Sequence, residues 1–519
     1  MPDAPALHVV EVLLVIGIAA WDARPLLSGE MARRFPRVFW WAAGFVVAIA
    51  VAALLAAIVA PALLHLMIVV AVALTGAAAW FGRVDYGRSR GLPPGSLSLE
   101  ATIEALLDRS FYRNRAAGLG PVFKMLQFYQ PTVCVVGLDR AHTLLRTYEG
   151  ALGPSVQGFS RAIPQGFLRY MSIGAHGIYG PMFRRALSSR VVSHHAAAMA
   201  LAARRVLGDA ARKADRAEGV LPDPYLDELV DEAFLAVLFG LSADDPDLPR
   251  LKSAYAPIGR VPISSNPTPE VLAALAGVRQ VLTARCARWR ALPDAEVPLC
   301  ALSEFAKIDA ALPDDTCLDN LVFIYRISTM NVTGLLRWVL AHLGGHPDWI
   351  SQLRAELDAG TPSDVPALAD RIVMETLRLS QAEYLYRRLR NDIRFEGFVL
   401  PKGWLVRLCI WESHRASGNF PDPDRFDPDR FLRDQPRTAY MPFGGDRHAC
   451  NGVSLSNAIC RAFLEELTRS YAWSVDGADP VERQFRHWSH WRPSRRMRLR
   501  LAPRRDTFSA AGLPAKPGA

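Results

Sequence analysis

Hydrophobic and polar positions divide the chain into two contrasting parts. The longest apolar run, Val38 to Phe81, holds no Asp, Glu, Lys or Arg and a single His, His65. At about 1.5 Å of rise per residue it is roughly twice as long as a bilayer crossing requires. Pro61 interrupts it near the middle, which predicts two apolar helices, about 39–59 and 62–81, joined by a tight turn. A third apolar run covers about 6–21 and carries Glu11. It either spans, lies in the interface, or acts as an uncleaved signal. Trp40, Trp41, Trp80 and Phe81 sit at the predicted span ends, where an aromatic belt would place them.

Gly91 to Ser96 is rich in Pro and Gly and reads as the boundary of the apolar region. Beyond it the period is helical. Helices are expected at 191–215, 224–240, 268–291 (opened by Thr-Pro-Glu), 314–343 (opened by Asp-Asp-Thr), 347–358 and 364–379. The stretch 392–406 alternates around Pro401-Lys402-Gly403, which predicts a hairpin. A Pro/Asp-rich loop follows at 420–431, a helix at 451–471, and short alternating strands at 473–501. The fold class is therefore mainly α with a minor β part. The expected organisation is a membrane anchor of two or three helices at 1–90, a folded domain at 91–503, and a disordered tail at 504–519.

Composition adds limits. Half the residues are apolar, 21% are charged and the formal net charge is +9. The basic residues are scattered and no basic–aromatic recognition module is legible, so nucleic acid is not the expected partner. Seven cysteines, with no C-x-x-C pair, argue against a disulfide scaffold or a zinc site. Arg24, Arg33, Arg34 and Arg37 precede the apolar hairpin, while Arg83, Arg88 and Arg90 follow it. Both flanks are then cytoplasmic by the positive-inside rule. Met1 to Leu7 has Asp3 and no Lys or Arg, which suits an outside N-terminus. The first run lacks the basic start of a cleaved signal.

The candidate chemistry lies at Met441-Pro-Phe-Gly-Gly-Asp-Arg-His-Ala-Cys-Asn-Gly452, running into a helix. A thiolate metal ligand needs a loop that exposes sulfur, N–H groups aimed at it, and a helix N-terminus behind it. Cys450 has all three in prospect. Gly444, Gly445 and Gly452 permit the tight backbone, and Phe443 could pack on a flat macrocycle. A buried Cys in a Gly-rich turn would look the same. Two further features weigh against that plainer reading. Glu375 and Arg378 stand three apart on one helix face, a pairing worth about 0–1 kcal/mol if exposed. Arg430 sits in the loop Phe426-Asp-Pro-Asp-Arg-Phe431. A carboxylate between two arginines would lock that loop close to Cys450.

The order of these features, Glu-x-x-Arg, then Phe-Asp-Pro-x-Arg-Phe, then Phe-Gly-Gly-Asp-Arg-His-Ala-Cys-Asn-Gly, resembles the cytochrome P450 family over roughly 100–503. Trp338 with His346-Pro347, Leu353 to Leu357, and His414-Arg415 fit the same pattern. The resemblance implies a helical haem domain preceded by transmembrane helices, with haem b as cofactor. Cys450 would be the iron ligand, its thiolate favouring O–O cleavage. Glu375, Arg378 and Arg430 would form the structural triad. Arg387 and His448 would pair with haem propionates. Arg184 would do so from an earlier helix, although Gly180 stands where the family has an aromatic. Gly444, Gly452 and Phe443 would shape the cofactor's binding loop. The implied activity is oxidation of a small lipophilic substrate by O2. Its electrons would come from a separate protein, a ferredoxin or flavin reductase, since no flavin or iron–sulfur segment is readable. The expected location is a membrane, multi-pass at the N-terminus, with the haem domain cytoplasmic; high Ala and Arg usage suggests a bacterial inner membrane.

Two departures matter. Asp446 replaces a Gly of the family's loop; Asp tolerates left-handed geometry better than most residues. Counting back from His346-Pro347, the family's proton-relaying acid and Thr fall on Met330 and Asn331. Met330 carries no proton, and Asn331 is not acidic. Thr329 or Thr333 could substitute only with a shift of register. Three functions stay open: a monooxygenase with water held by Asn331, an isomerase, dehydratase or peroxide-using enzyme that does not activate O2, and a non-catalytic membrane haem protein.

Overall fold

The apolar periodicities become helices whose ends are set by local capping. A computed structural model describes residues 4–504 apart from 24–35, 84–90, 128–129, 156–157, 215–218, 261–265, 310–312, 361–364, 382–383, 417, 434–438, 446 and 484–490. The flanking arginines at 24, 33, 34, 88 and 90, Asp446 and the expected tail beyond 504 thus lie outside the described residues. Contacts divide the chain into two units, Met1–Val135 with Asn391–Val406, and Val136–Arg390 with Arg407–Ala519.

The first unit opens with three apolar helices, α1 (Ala4–Ala23), α2 (Pro36–Val59) and α3 (Pro61–Arg83). Pro61 opens α3 at its first position, where a missing N–H is costless. The three helices meet through buried Val12, Val15, Ala53, Ala56 and Leu64. Their outer faces stay bare: Trp41 is 81% exposed and Ile58 80%. Among the described residues one helix, Trp40–Val59, is long and apolar enough by itself to cross a membrane, with a mean hydropathy of 2.8. A small sheet follows. Gly95 and Ser96 pair parallel to Lys124 and Met125, and Val122–Gln127 pairs antiparallel to Gln130–Val136. Gly95 has φ +118°, and a Cβ there would overlap the Lys124 carbonyl.

The alternation at 392–406 resolves differently from the expected hairpin. Ile393–Phe395 and Phe398–Leu400 pair across a two-residue turn, Glu396-Gly397, whose φ values are 51° and 81°. Both central residues of such a turn need positive φ, which matches the twist of the strands. Pro401-Lys402-Gly403 is a second turn, which leads into the strand Leu405–Cys409.

The second unit is a helical body around one large apolar core. The pattern at 191–215 breaks at His195 into Ser189–His194 and Ala196–Lys213. Ahead of it lies α4 (Ile173–Ala186) and after it α5 (Asp223–Phe239), which ends on left-handed Gly240. The longest helix is α6 (Asp315–Gly344), capped by Asp314, whose carboxylate accepts the Cys317 N–H at 2.8 Å. Next is α7 (Leu368–Thr376), continued by a π-turn over Leu377–Gln381. Finally, α8 (Val453–Ser470) precedes the strand Tyr471–Asp476, which pairs antiparallel with Arg498–Pro503. The expected late strands at 473–501 are these, plus the short pair Glu482–Arg483 with Trp491–Arg492.

Candidate functional site

The buried end of α7 carries a tight cluster of charge. Glu375, Arg378 and Arg430 are each no more than 1% exposed. Glu375 receives Arg378 on both oxygens, at 2.7 and 2.8 Å, and Arg430 Nε on Oε1 at 2.9 Å. The Asp427 N–H adds a fourth bond at 2.9 Å. Two guanidinium groups around one carboxylate leave surplus positive charge. Backbone carbonyls absorb it: Arg378 donates to those of His414, Pro423 and Arg425, and Arg430 to those of Pro421, Asp422 and Arg425. The Phe420 ring lies 5.0 Å from the Arg378 guanidinium carbon. The cluster thus gathers the loop 420–430 around α7. A buried ion pair is weak evidence for net stability, but removing one partner typically costs about 3–5 kcal/mol.

His414 links this cluster to the cysteine loop. Its carbonyl takes Arg378, and its Nε2 accepts the Met441 N–H at 3.0 Å. Burial, with Arg378 and Arg415 nearby, lowers its pKa to about 3, so the ring is neutral with its proton on Nδ1. The ring stacks on Tyr440, whose hydroxyl donates to the Met374 carbonyl on α7.

From Met441 the loop turns back on itself. Gly444 takes φ +87°, and the Cys450 N–H closes the turn on the Phe443 carbonyl at 2.9 Å. Gly445 is required by close approach, since a Cβ there would lie 2.5 Å from His142 Cε1 and 2.6 Å from Met441 Sδ. Cys450 is exposed, unlike the other six cysteines, which are all buried. Its Sγ accepts the Gly452 N–H at 3.3 Å, and α8 starts at Val453 with Gly452 as N-cap. An accessible sulfur just ahead of a helix N-terminus sits where positive potential favours an anion.

His448, two residues before that sulfur, packs against His176 of α4 with ring centroids 4.3 Å apart. A Cβ at Gly180 would lie 2.7 Å from His176 Cε1, so the glycine makes room for the ring. Arg184 is exposed. The residue α4 brings to the cysteine loop is His176, which the sequence reading missed. Its signal was a histidine one helical turn before a glycine, on the face that buries Phe183. Arg387 is 5% exposed and shares the buried face of Tyr384–Leu389 with Leu385 and Leu389. The strand's period of two turns it inward, and its Nη1 donates to the Tyr386 carbonyl at 3.0 Å.

On α6, Ile324, Ile327 and Ser328 are half-buried and Asn331 is exposed, although most of the helix is buried. These positions recur every three or four residues and form one stripe. Thr329 is turned to its own helix, donating to the Tyr325 carbonyl at 3.1 Å. Thr333 donates to Asp227 of α5 at 2.8 Å. The Met330 carbonyl accepts Arg492 Nη2 at 2.7 Å. Neither threonine shares the stripe of Asn331.

These donors fit a haem held through sulfur. An accessible cysteine with an N–H on its Sγ suits the iron, and inward Arg387 and the imidazole of His448 suit carboxylates. A mainly helical fold with a locked cysteine loop is the arrangement a haem-thiolate protein would need. Comparisons agree. The cytochrome P450 family model matches residues 327–500. The retinoic-acid-bound cyanobacterial CYP120A1 superposes with a TM-score of 0.62 at 23% identity, covering 80% of this chain and 99% of that one. Abscisic acid 8'-hydroxylase 3 of Oryza sativa subsp. indica is 28% identical over 211 residues, 38% of this chain and 42% of the relative. Abscisic acid 8'-hydroxylase 2 of Arabidopsis thaliana is 31% identical over 182 residues, 32% and 37% of the two chains. The chain thus spans less than half the length of these curated relatives. The stretch 327–500, which holds the Glu375 cluster and the cysteine loop, resembles the cytochrome P450 family, a resemblance that implies a haem cofactor.

Proposed function

We propose that the chain is a membrane-associated haem-thiolate monooxygenase that hydroxylates a small lipophilic molecule with O2. The observation that carries this is the exposed Cys450 Sγ, bonded by Gly452 and tied through Met441 and His414 to the buried Glu375 cluster. Cys450 would hold the iron of haem b, which when bound supplies the redox and oxygen chemistry. Arg387, His448 and His176 would pair with its carboxylates. Asn331 would hold water or a substrate hydroxyl on the opposite side. Electrons would come from a separate ferredoxin or flavin reductase. The matched relatives are hydroxylases by name, which supports a hydroxylation. The bare apolar faces of α1–α3 support insertion in a bilayer.

A second reading rests on the relay. With Met330 in the acid's place, and both Thr329 and Thr333 bonded elsewhere, a peroxide or pre-oxidised substrate would spare the enzyme proton delivery. One purified preparation separates the two. The reduced protein with CO should give the red-shifted Soret band of thiolate ligation, and Cys450→Ser should lose it. Abscisic acid, retinoic acid and lipids of the producing cell are then offered with O2 and a reductase system, and separately with a hydroperoxide. Product only in the hydroperoxide arm overturns the monooxygenase reading. A normal red-shifted band in Cys450→Ser overturns the ligand assignment.

A further inference from the structure

A polar contact joins two of the apolar helices. His65 Nε2 on α3 lies 3.0 Å from Glu11 Oε1 on α1, with the Glu11 side chain 14% exposed and that of His65 58%. Glu11 is the one acidic residue of 6–21, and His65 the one titratable side chain of 38–81. Ionisable groups are costly at membrane depth and are kept there by pairing with each other.

The contact also sets a direction. His65 lies about one turn into α3, level with the Ala60 turn between α2 and α3. Glu11 is therefore at that level too, and twelve residues of α1 remain beyond it, Val12 to Ala23. The buried contacts run on from there. Val12 and Val15, with Ile16, share one core with Ala56, Ala53 and Ile49 of α2, and with Leu64, Met67 and Ile68 of α3. Each trio moves away from the turn. Hence α1 runs beside α3, in the same sense, and against α2. The 20 residues of α1 span about 30 Å, of which Glu11 to Ala23 supplies about 20 Å on the inner side of the contact and Ala4 to Val10 the rest toward the outer face. The charges agree, since Arg24, Arg33 and Arg34 follow α1, whereas Met1 to Leu7 carries no Lys or Arg.

From this parallel packing we infer that α1 crosses the bilayer with the hairpin, giving a three-helix anchor pinned at its outer level by Glu11 and His65. The occupant of its outward apolar faces is lipid. The inference rests on the membrane reading above and resolves whether two or three helices span.

The test uses the full chain in sealed vesicles, with one epitope tag at the N-terminus or after Ser28. After an alkaline carbonate wash, the three-helix anchor keeps the chain in the membrane and places the two tags on opposite faces. Retention with both tags on one face overturns the third crossing and leaves the membrane reading standing. Release by carbonate overturns the membrane reading, and the anchor with it. Glu11→Ala should lower the fraction with an outside N-terminus several-fold, while Glu11→Gln, which still bonds an imidazole, should restore it. An unchanged fraction in Glu11→Ala overturns the role of the pair.

Discussion

His414 accepts the Met441 amide on Nε2 while giving its own carbonyl to Arg378, so one neutral imidazole spans the gap between the charged cluster and the cysteine loop. A protonated ring could not accept that amide. The folded pKa, about 3, lies below the ordinary 6.5. Below pH 6.5 the unfolded chain therefore gains a proton that the folded chain refuses until about pH 3. This contribution to stability is flat above pH 7 and falls as pH drops through that window, by up to a few kcal/mol at about 1.4 kcal/mol per unit. Denaturant midpoints at pH 7.5, 6, 5 and 4 should show His414→Asn with a shallower acid slope than the parent. Equal slopes would refute the coupling.

Removing charge from the cluster should be costlier than removing a surface pair. Glu375→Gln leaves Arg378 and Arg430 buried without their shared carboxylate. The expected loss is about 3–5 kcal/mol, against about 0–1 for an exposed pair such as Arg205 with Glu228. Thermal unfolding of Glu375→Gln and Glu228→Gln, side by side, tests this. Similar melting points for the two variants would mean that the backbone carbonyls alone hold the arginines.

Asn331 offers a functional test. If it holds the water that delivers protons, Asn331→Ala should lower product per electron consumed by tenfold or more, given that positioned proton transfer contributes about 10²–10⁴-fold. Turnover driven by a hydroperoxide, which needs no such delivery, should change little. Parallel losses in both assays would place Asn331 in substrate binding instead.

What could be read ahead of the structure follows the range of the interactions. Helix starts at Thr268 and Asp314 depend on side chains three residues from their partners, and they fall where expected. Glu375 and Arg378, also three apart, share a face by periodicity alone. The break at His195 and the Glu396-Gly397 turn were misjudged because apolar spacing runs through both. Contacts between distant segments left no local mark. The His414–Met441 bond joins residues 27 apart, and the Thr333–Asp227 bond joins residues 106 apart. That His176 of α4 would face His448 depends on how the helix packs against the cysteine loop, and counting from Arg184 could not supply it.

Two glycines of α4 turn that packing into a prediction. A Cβ at Gly177 would meet nothing within 4 Å, whereas one at Gly180 would lie 2.7 Å from the His176 ring. Gly177→Ala should then stabilise by about 0.5–1 kcal/mol, the usual gain in a helix interior. Gly180→Ala should forfeit that gain and add an overpacking cost of about 1–3 kcal/mol, because His176 is 4% exposed and already against His448. The double variant His176→Ala/Gly180→Ala should recover most of the loss, since the added methyl then enters space the ring has left. Urea unfolding of these proteins with the parent and with His176→Ala alone closes the cycle. If Gly180→Ala is as stable as Gly177→Ala, the His176 ring is free to move, and its contact with His448 does not hold the cysteine loop.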